Sequence, residues 1–276
     1  IKPDIVFHLS AQSIVSKSYQ NPLETFSTNL IGSLNVFEVL RQTSIRSNVV
    51  FITSDKCYEN KEWIYGYREI DELGGKDPYS ASKACAEIGL RSLSLSFPER
   101  SFKFATARAG NVVGGGDWSM DRIVPDCIRK WSNSQSVTLR KPQATRPWQH
   151  VLEPLSGYLK LAEDLEKNID LDSNTFNFGP NSKKDISVLE LCKLLINYWP
   201  NATIQIDPNL SIGNECGLLK LDISKASSLL NWTPRLSIDE CASMTSIWYK
   251  ELYNGKSAKE LCLNDIDFYT AKIGFS

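Results

Sequence analysis

The chain has almost no charge imbalance, almost no histidine and no long apolar run. Its 31 lysines and arginines against 32 aspartates and glutamates leave a formal net charge of −1. That balance removes the electrostatic case for a nucleic acid or an anionic membrane as partner. No stretch approaches the roughly 20 apolar residues of a membrane-spanning helix. No secretory signal is visible, but the chain opens at Ile1 almost directly in a strand-like run. The expectation is therefore a fragment whose N-terminal part is missing, and the lack of a signal carries no weight. The two histidines, His8 and His150, are far apart in sequence, so a His/Cys metal site is not expected. The seven cysteines (57, 85, 127, 192, 216, 241 and 262) are odd in number and contain no C-x-x-C. Reduced thiols in a cytoplasmic protein fit that pattern better than a disulfide framework.

What is present is a run of strand and helix signals. Asp4–Leu9, Asn48–Thr53, Phe102–Ala107 and Thr175–Phe178 are short dense apolar runs, the mark of buried strands. Between them lie helical patterns: Asn21–Thr43, with Phe26, Leu30, Leu34, Phe37 and Leu40 on one stripe, and Ser80–Phe97, stopped by Pro98. Further helices are predicted over Asp121–Trp131, Glu153–Asp164, Ser187–Tyr198, Asp222–Leu230 and Ile238–Tyr253, with short strands at Val137–Leu139 and Thr203–Ile206. Strands alternating with helices argue an α/β fold, a Rossmann-like doubly wound parallel sheet. The division expected is a sheet domain over 1–113 and 148–178, and a smaller, mostly helical lobe over 114–147 and 179–276. The tail after Gly255 is not placed.

Polar residues follow three of the strands: Ser10-Ala11-Gln12, Thr53-Ser54-Asp55-Lys56 and Gly110-Asn111. Ligands of such sheets sit beyond the strands' carboxyl ends. Tyr79-Ser80-Ala81-Ser82-Lys83 then places a phenol and an ammonium one helical turn apart. A nearby cation favours phenolate, so the tyrosine can take a proton from an alcohol while a hydride leaves the same carbon. Hydride chemistry needs a nicotinamide, yet the G-x-G-x-x-G turn that holds its pyrophosphate is not found. Gly114-Gly115-Gly116 follows a late strand and reads as a flexible turn. Asn111 suits a sugar hydroxyl or a phosphate oxygen, and Arg122, Arg146 and Lys220 are candidate diphosphate cations. Bland alternatives stand beside each: an Asp55–Lys56 surface ion pair, surface salt bridges for Arg122 and Lys220, core positions for Trp118 and Trp148, and a satisfied structural role for His8. Asn29 is either a helix-surface amide or a backbone anchor near the site.

The runs HLSAQ (8–12), TSDKCYEN (53–60), DPYSASKACAE (77–87), RAGNVVGGGDW (108–118), DRIVPDCIR (121–129), RPWQHVLEPLSGYL (146–159), NFGP (177–180) and LLKLDISKA (218–226) together cover nearly the whole chain. In them the chain resembles the extended short-chain dehydrogenase/reductases, and among these the CDP-glucose 4,6-dehydratases. The resemblance implies bound NAD, a nucleotide-sugar substrate and a homodimer. It also implies conversion of CDP-glucose to CDP-4-keto-6-deoxyglucose, feeding deoxysugars to surface polysaccharide such as lipopolysaccharide O antigen. Tyr79 and Lys83 would oxidise C4, Ser54 would bind the 4-oxygen, Asp55 would be the acid and Lys56 the base of the elimination. Ala11 and Gln12 would line the cofactor cleft. Related dTDP-sugar dehydratases carry an acidic residue where this chain has Lys56. Family sequences also place a histidine before the glutamate that Glu215 matches; here Asn214 stands there, which puts the cytosine preference in question. An epimerase or decarboxylase of the same superfamily would use Tyr79 and Lys83 without needing the pair at 55 and 56. A non-catalytic dinucleotide-binding protein would need none of the four.

Overall fold

The computed structural model describes residues 2–167, 169–181, 185–207 and 217–274. They form two compact units, one of residues 1–109, 156–178 and 221–233, the other of 110–155, 179–220 and 234–276.

The first unit is built on a parallel sheet. Its elements begin with β1 (Ile5–His8), α1 (Val15–Gln20), α2 (Pro22–Phe26), a π-helical turn (Ser27–Ile31) and α3 (Gly32–Thr43). Then come β2 (Asn48–Ile52), a 3₁₀ turn (Asp55–Cys57), α4 (Pro78–Ser96) and β3 (Lys103–Ala109). Elements of the other unit follow: β4 (Val112–Val113), α5 (Ile123–Trp131), β5 (Val137–Leu139), β6 (Thr145–Arg146) and β7 (Gln149–His150). The chain returns through α6 (Leu152–Lys167) to β8 (Asn174–Phe178). The strand order is β1-β2-β3-β8, parallel throughout, with Phe51 opposite both His8 and Thr106. Phe37, Leu40 and Leu90 of α3 and α4 pack on Val49, Phe51 and Phe104 of one sheet face. α6 lies against β8, where a Cβ on Gly157 would strike the Phe178 ring at 2.3 Å. Burial of both sheet faces is why these strands read as continuous apolar runs rather than alternating ones.

The predicted helix over 21–43 is instead α2, the π turn and α3 in succession. α1 was not anticipated. α4 starts at Asp77, whose carboxylate caps it by accepting the Ser80 N–H at 2.9 Å, with Pro78 in the first turn.

The second unit gathers α5, β9 (Ile186–Ser187), α7 (Val188–Ile196), β10 (Ile204–Ile206), α9 (Ile238–Tyr253) and α10 (Ala258–Ile273), while α8 (Ser224–Leu230) lies between them in sequence. Its ladders are short: β4 with β7 and β5 with β10 in parallel, β6 with β9 antiparallel. The core is Ile128, Trp131, Leu139, Leu191, Leu195, Trp248 and Tyr249 with their neighbours. Reciprocal capping boxes, Ser187 with Glu190 and Ser237 with Glu240, start α7 and α9. The tail after Gly255 is α10, docked by Leu261 and by the Tyr269 hydroxyl, which donates to buried Glu153 at 2.7 Å.

The units are cut at different places from those expected. β4 pairs with β7 rather than joining the sheet, so residues 110–113 and 148–155 belong to the second unit. α8 goes with the sheet, because Lys225 donates to Asn174 Oδ1 and to the Thr175 carbonyl of β8. The glycines 114–116 are not a loose turn: a Cβ on Gly115 would meet the Trp248 indole at 2.0 Å, and Gly116 has φ +86°. Trp148 is a core residue, whereas Trp118 is 45% exposed, edge-on to Tyr249 and Tyr253.

Candidate active site

In the first unit Tyr79, Lys83 and the Ser54–Lys56 triplet lie near the sheet's carboxyl end. Tyr79 and Lys83 are both buried on the first turns of α4. Lys83 Nζ donates to the carbonyl of Ile52, the last residue of β2, at 3.1 Å. That bond fixes the amine immediately beside Thr53 and Ser54. It uses one of three donors, leaving the ammonium free to donate elsewhere. Burial pulls Lys83 down from the usual lysine range to about 8, against the attraction of the Glu87 carboxylate.

Ser54 extends from β2 and caps the 3₁₀ turn, accepting the Lys56 N–H at 3.3 Å, and its hydroxyl donates to Asp55 Oδ1 at 3.0 Å. Asp55 is buried and Lys56 half-buried. The two do not form a surface ion pair: among the described residues Lys56 has no carboxylate partner. The triplet therefore offers a hydroxyl, a carboxyl and an uncommitted amine on consecutive residues.

Ala11 and Gln12 line an open cavity of about 330 Å³ beyond β1, with Lys17, Glu24 and Thr28. The Gln12 amide is spent inside the loop, donating to Ile14 O and Thr25 Oγ1 and accepting the Ile14 N–H. It shapes this wall from within. Asn29 is the anchor of the two readings above: it is 1% exposed, and the π turn aims its amide at the Gln12 backbone and at Ser82 Oγ. His8 sits edge-on to Phe51, and its Nε2 has no hydrogen-bond partner among the described residues. Burial and the Lys83 charge lower its pKa, so it is a neutral imidazole at the end of β1 rather than a satisfied one.

Two participants were not anticipated. Tyr158 of α6 is buried near Tyr79 and Asp55; burial and those two neighbours raise its pKa, so it stays a phenol. Glu87 forms a buried ion pair with Arg108 and accepts the Thr53 hydroxyl. A glutamate in a helix reads as surface, but its position one turn beyond Lys83 was the available signal.

In the second unit, the Asn111 Oδ1 is buried without a partner among the described residues, a poised acceptor. The candidate cations differ. Arg122 is paired with Asp117 at 3.0 Å and Lys220 with Asp185 at 2.6 Å. Arg146 donates only to the neighbouring Thr145 carbonyl and has no carboxylate among the described residues. Gly110 lets this segment close up, since a Cβ there would meet Pro147 at 2.7 Å. Glu215 lies outside the described residues.

The residues present fit the nicotinamide end of a dinucleotide: a buried tyrosine, a lysine with donors to spare, and a cavity beyond the first strand. The profile of the family described as GDP-mannose 4,6 dehydratase matches residues 1–245. The chain belongs to this family. It is an extended short-chain dehydrogenase/reductase, a hydro-lyase. It is 41% identical to CDP-glucose 4,6-dehydratase of Salmonella typhimurium over 261 residues, covering 92% of this chain and 73% of that protein. Among solved structures it is similar to UDP-glucose-4-epimerase from Stenotrophomonas maltophila with bound NAD and formylated UDP-arabinopyranose. That likeness has a TM-score of 0.80 at 20% identity and covers 92% of this chain and 78% of that one. It is also similar to dTDP-glucose 4,6-dehydratase from Bacillus anthracis in complex with NAD, with a TM-score of 0.73 at 16% identity over 94% of this chain and 75% of that one. These two likenesses establish the fold.

Proposed function

We propose that the protein dehydrates CDP-glucose to CDP-4-keto-6-deoxyglucose, with Tyr79, Lys83, Ser54, Asp55 and Lys56 as its catalytic residues. The observation that carries the site assignment is the Lys83–Ile52 bond, which holds the tyrosine–lysine helix against the start of the Ser54–Lys56 triplet. Tyr79, with Lys83 one helical turn away on α4, takes the proton of the C4 hydroxyl. Ser54 donates a hydrogen bond to the 4-oxygen. NAD, when bound, would supply the hydride acceptor for C4 and the hydride donor for C6. The 4-keto group acidifies the C5 proton, which Lys56 removes. Asp55 protonates the C6 hydroxyl, which leaves as water. Lys56 returns a proton to C5, and Tyr79 and Asp55 re-equilibrate with solvent.

The first unit is the dinucleotide-binding part and the second the nucleotide-sugar-binding part. In the latter, Arg146 is the principal diphosphate ligand, with Asn111, Arg122 and Lys220 alongside. That Arg146 has no carboxylate among the described residues supports this, because a guanidinium fork matches phosphate oxygens. Ala11 and Gln12 shape the cofactor wall. The resemblance in the catalytic runs, and the Salmonella relative above all, supports a CDP-sugar substrate. It also supports a cytoplasmic homodimer supplying deoxysugars for surface polysaccharide. The decisive experiment incubates the NAD-loaded protein with CDP-, dTDP- and UDP-glucose separately. Loss of one water from CDP-glucose alone, seen by mass, is the expected result; no dehydrated product from any of the three would sink the reading.

A further inference from the structure

The catalytic triplet is flanked by Thr53 and Cys57, and both side chains turn to one carboxylate. The Thr53 hydroxyl donates to Glu87 Oε1 at 2.5 Å, and Cys57 Sγ lies 3.7 Å from the same oxygen. Glu87 is on α4, one turn beyond Lys83 and two beyond Tyr79. Arg108 of β3 grips this carboxylate from behind: Nε donates to Oε1 at 2.8 Å and to Oε2 at 3.0 Å, and Nη2 pairs with Oε2. The guanidinium stacks 4.6 Å over the Tyr58 ring, whose hydroxyl donates to Asn177 of β8 at 2.8 Å. Thr53, Glu87 and Arg108 are all buried.

An ion pair of this kind is a poor device for stability alone, since its desolvation offsets much of its attraction and an apolar pair of equal volume serves as well. Its directionality is what an apolar pair lacks. The carboxylate holds both ends of a three-residue turn against the helix that carries the oxidising pair. Arg108 orients that carboxylate from the neighbouring strand. Nothing in the reaction requires Glu87 to touch substrate.

We propose that Glu87, clamped by Arg108, is a positioning residue: through Thr53 and Cys57 it locks the Ser54–Asp55–Lys56 turn in register with the helix bearing Tyr79 and Lys83. This rests on the catalytic roles proposed above. Its consequence is specific. Lys83 is held independently by Ile52, so oxidation at C4 survives loosening of the turn, whereas elimination across C5 and C6 does not. Misplacement by about 1 Å can cost on the order of 100-fold in rate.

Thr53→Val tests it, because it deletes the tether while leaving the Glu87–Arg108 pair intact. With NAD-loaded protein and CDP-glucose, four quantities are read: reduced-nicotinamide absorbance for C4 oxidation, solvent-deuterium entry at C5, amide exchange of the peptide over 53–58, and thermal midpoint. In Thr53→Val we expect C5 exchange to fall about 30-fold while oxidation changes less than about threefold. Amide exchange over 53–58 should rise about tenfold, and Thr53→Ser, which restores the hydroxyl, should recover both. Oxidation and elimination falling together would overturn the proposal. So would wild-type elimination and amide exchange in Thr53→Val. Should Thr53→Val fail to fold, Glu87→Asp, which keeps the charge but shortens its reach, must show the same split or the proposal fails. Should the wild type dehydrate none of the three nucleotide sugars, the catalytic reading fails, and the amide-exchange arm still decides the tether by itself.

Discussion

Asn29 and Ser82, fifty-three positions apart, are joined by a 2.8 Å hydrogen bond from the Asn29 amide to the serine hydroxyl. Ser82 lies between Tyr79 and Lys83 and passes the contact on by donating to the Tyr79 carbonyl at 2.7 Å. The same Asn29 side chain accepts the Gln12 N–H and donates to the Gln12 carbonyl. One amide thus ties the loop after β1 to the catalytic helix, and the π turn is the backbone cost of aiming it there.

Truncating that amide leaves a buried N–H, a buried carbonyl and a hydroxyl without their partner. Asn29→Ala is therefore expected to lower stability by about 3 kcal/mol in urea unfolding. Turnover of the still-folded protein should fall at least about tenfold, because the start of α4 and the cofactor wall lose their common tie. Unchanged unfolding with unchanged turnover would show that the bridge is dispensable.

Lys83 exchanges stability for chemistry. Its folded pKa of about 8 lies below the unfolded lysine value near 10.4, so between these the unfolded state binds the extra proton and stability rises with pH. Below pH 8 the desolvation cost is borne in full. The charged or titratable neighbours are Glu87 on its own helix, Cys57 of the 3₁₀ turn and His8 of β1. Lys83→Met should abolish C4 oxidation yet raise stability at pH 7 by about 1–2 kcal/mol, after allowing for the lost bond to Ile52. The gain should shrink as pH climbs from 8 to 10. Calorimetry across that range checks it, and a variant less stable than wild type at pH 7 contradicts it.

Much of this arrangement was legible in the chain, for identifiable reasons. β2 and β3 are buried on both faces, so their apolar runs announced themselves, and the spacing of Tyr79 and Lys83 put them one turn apart on a single helix, where both are buried. What escaped depends on partners remote in sequence. No local signal splits the helix over 21–43 at Asn29, because Gln12 and Ser82 cause the split. Gly115 looked like a flexible link because the indole that fills its empty side, from Trp248, is far along the chain. α10 buries few residues, Leu261 and Tyr269 among them, leaving too faint a periodic stripe to read. β4, β6, β7 and β9 are two residues each, and only pairing defines them.

Arg146 and Arg122 should part company on substitution. Arg146 has no carboxylate among the described residues, whereas Asp117 already engages Arg122. A hydrogen bond to a charged group is worth about 1.5–3 kcal/mol, so Arg146→Ala should raise the KM for CDP-glucose about 10- to 100-fold with kcat less affected. Arg146→Lys should recover only part of the loss, since an ammonium cannot reproduce the two-pronged contact. Arg122→Ala should change KM less than about fivefold. Steady-state kinetics decide this, and equal effects at the two positions would remove Arg146 from its assigned place.

The second unit carries a carboxylate held at a cost. Asp265 of α10 lies 4.0 Å from His150 Nε2, an arrangement that resembles an ion pair. Burial governs both groups instead, pushing Asp265 up to about 6 and His150 down to about 4, so at neutral pH the imidazole is uncharged. With a folded pKa above its unfolded value near 3.9, Asp265 binds its proton more readily in the native state. Stability is therefore lost as pH rises from 4 to 6, and the penalty is complete above 6. His150 contributes the opposite slope, losing stability as pH falls from about 6.5 to 4, in wild type and variant alike. Asp265→Asn should thus gain about 1–2 kcal/mol in urea unfolding at pH 7.5, with the gain vanishing near pH 4. Were the variant less stable at pH 7.5, the imidazole would have to be protonated there, and the contact would be a true ion pair.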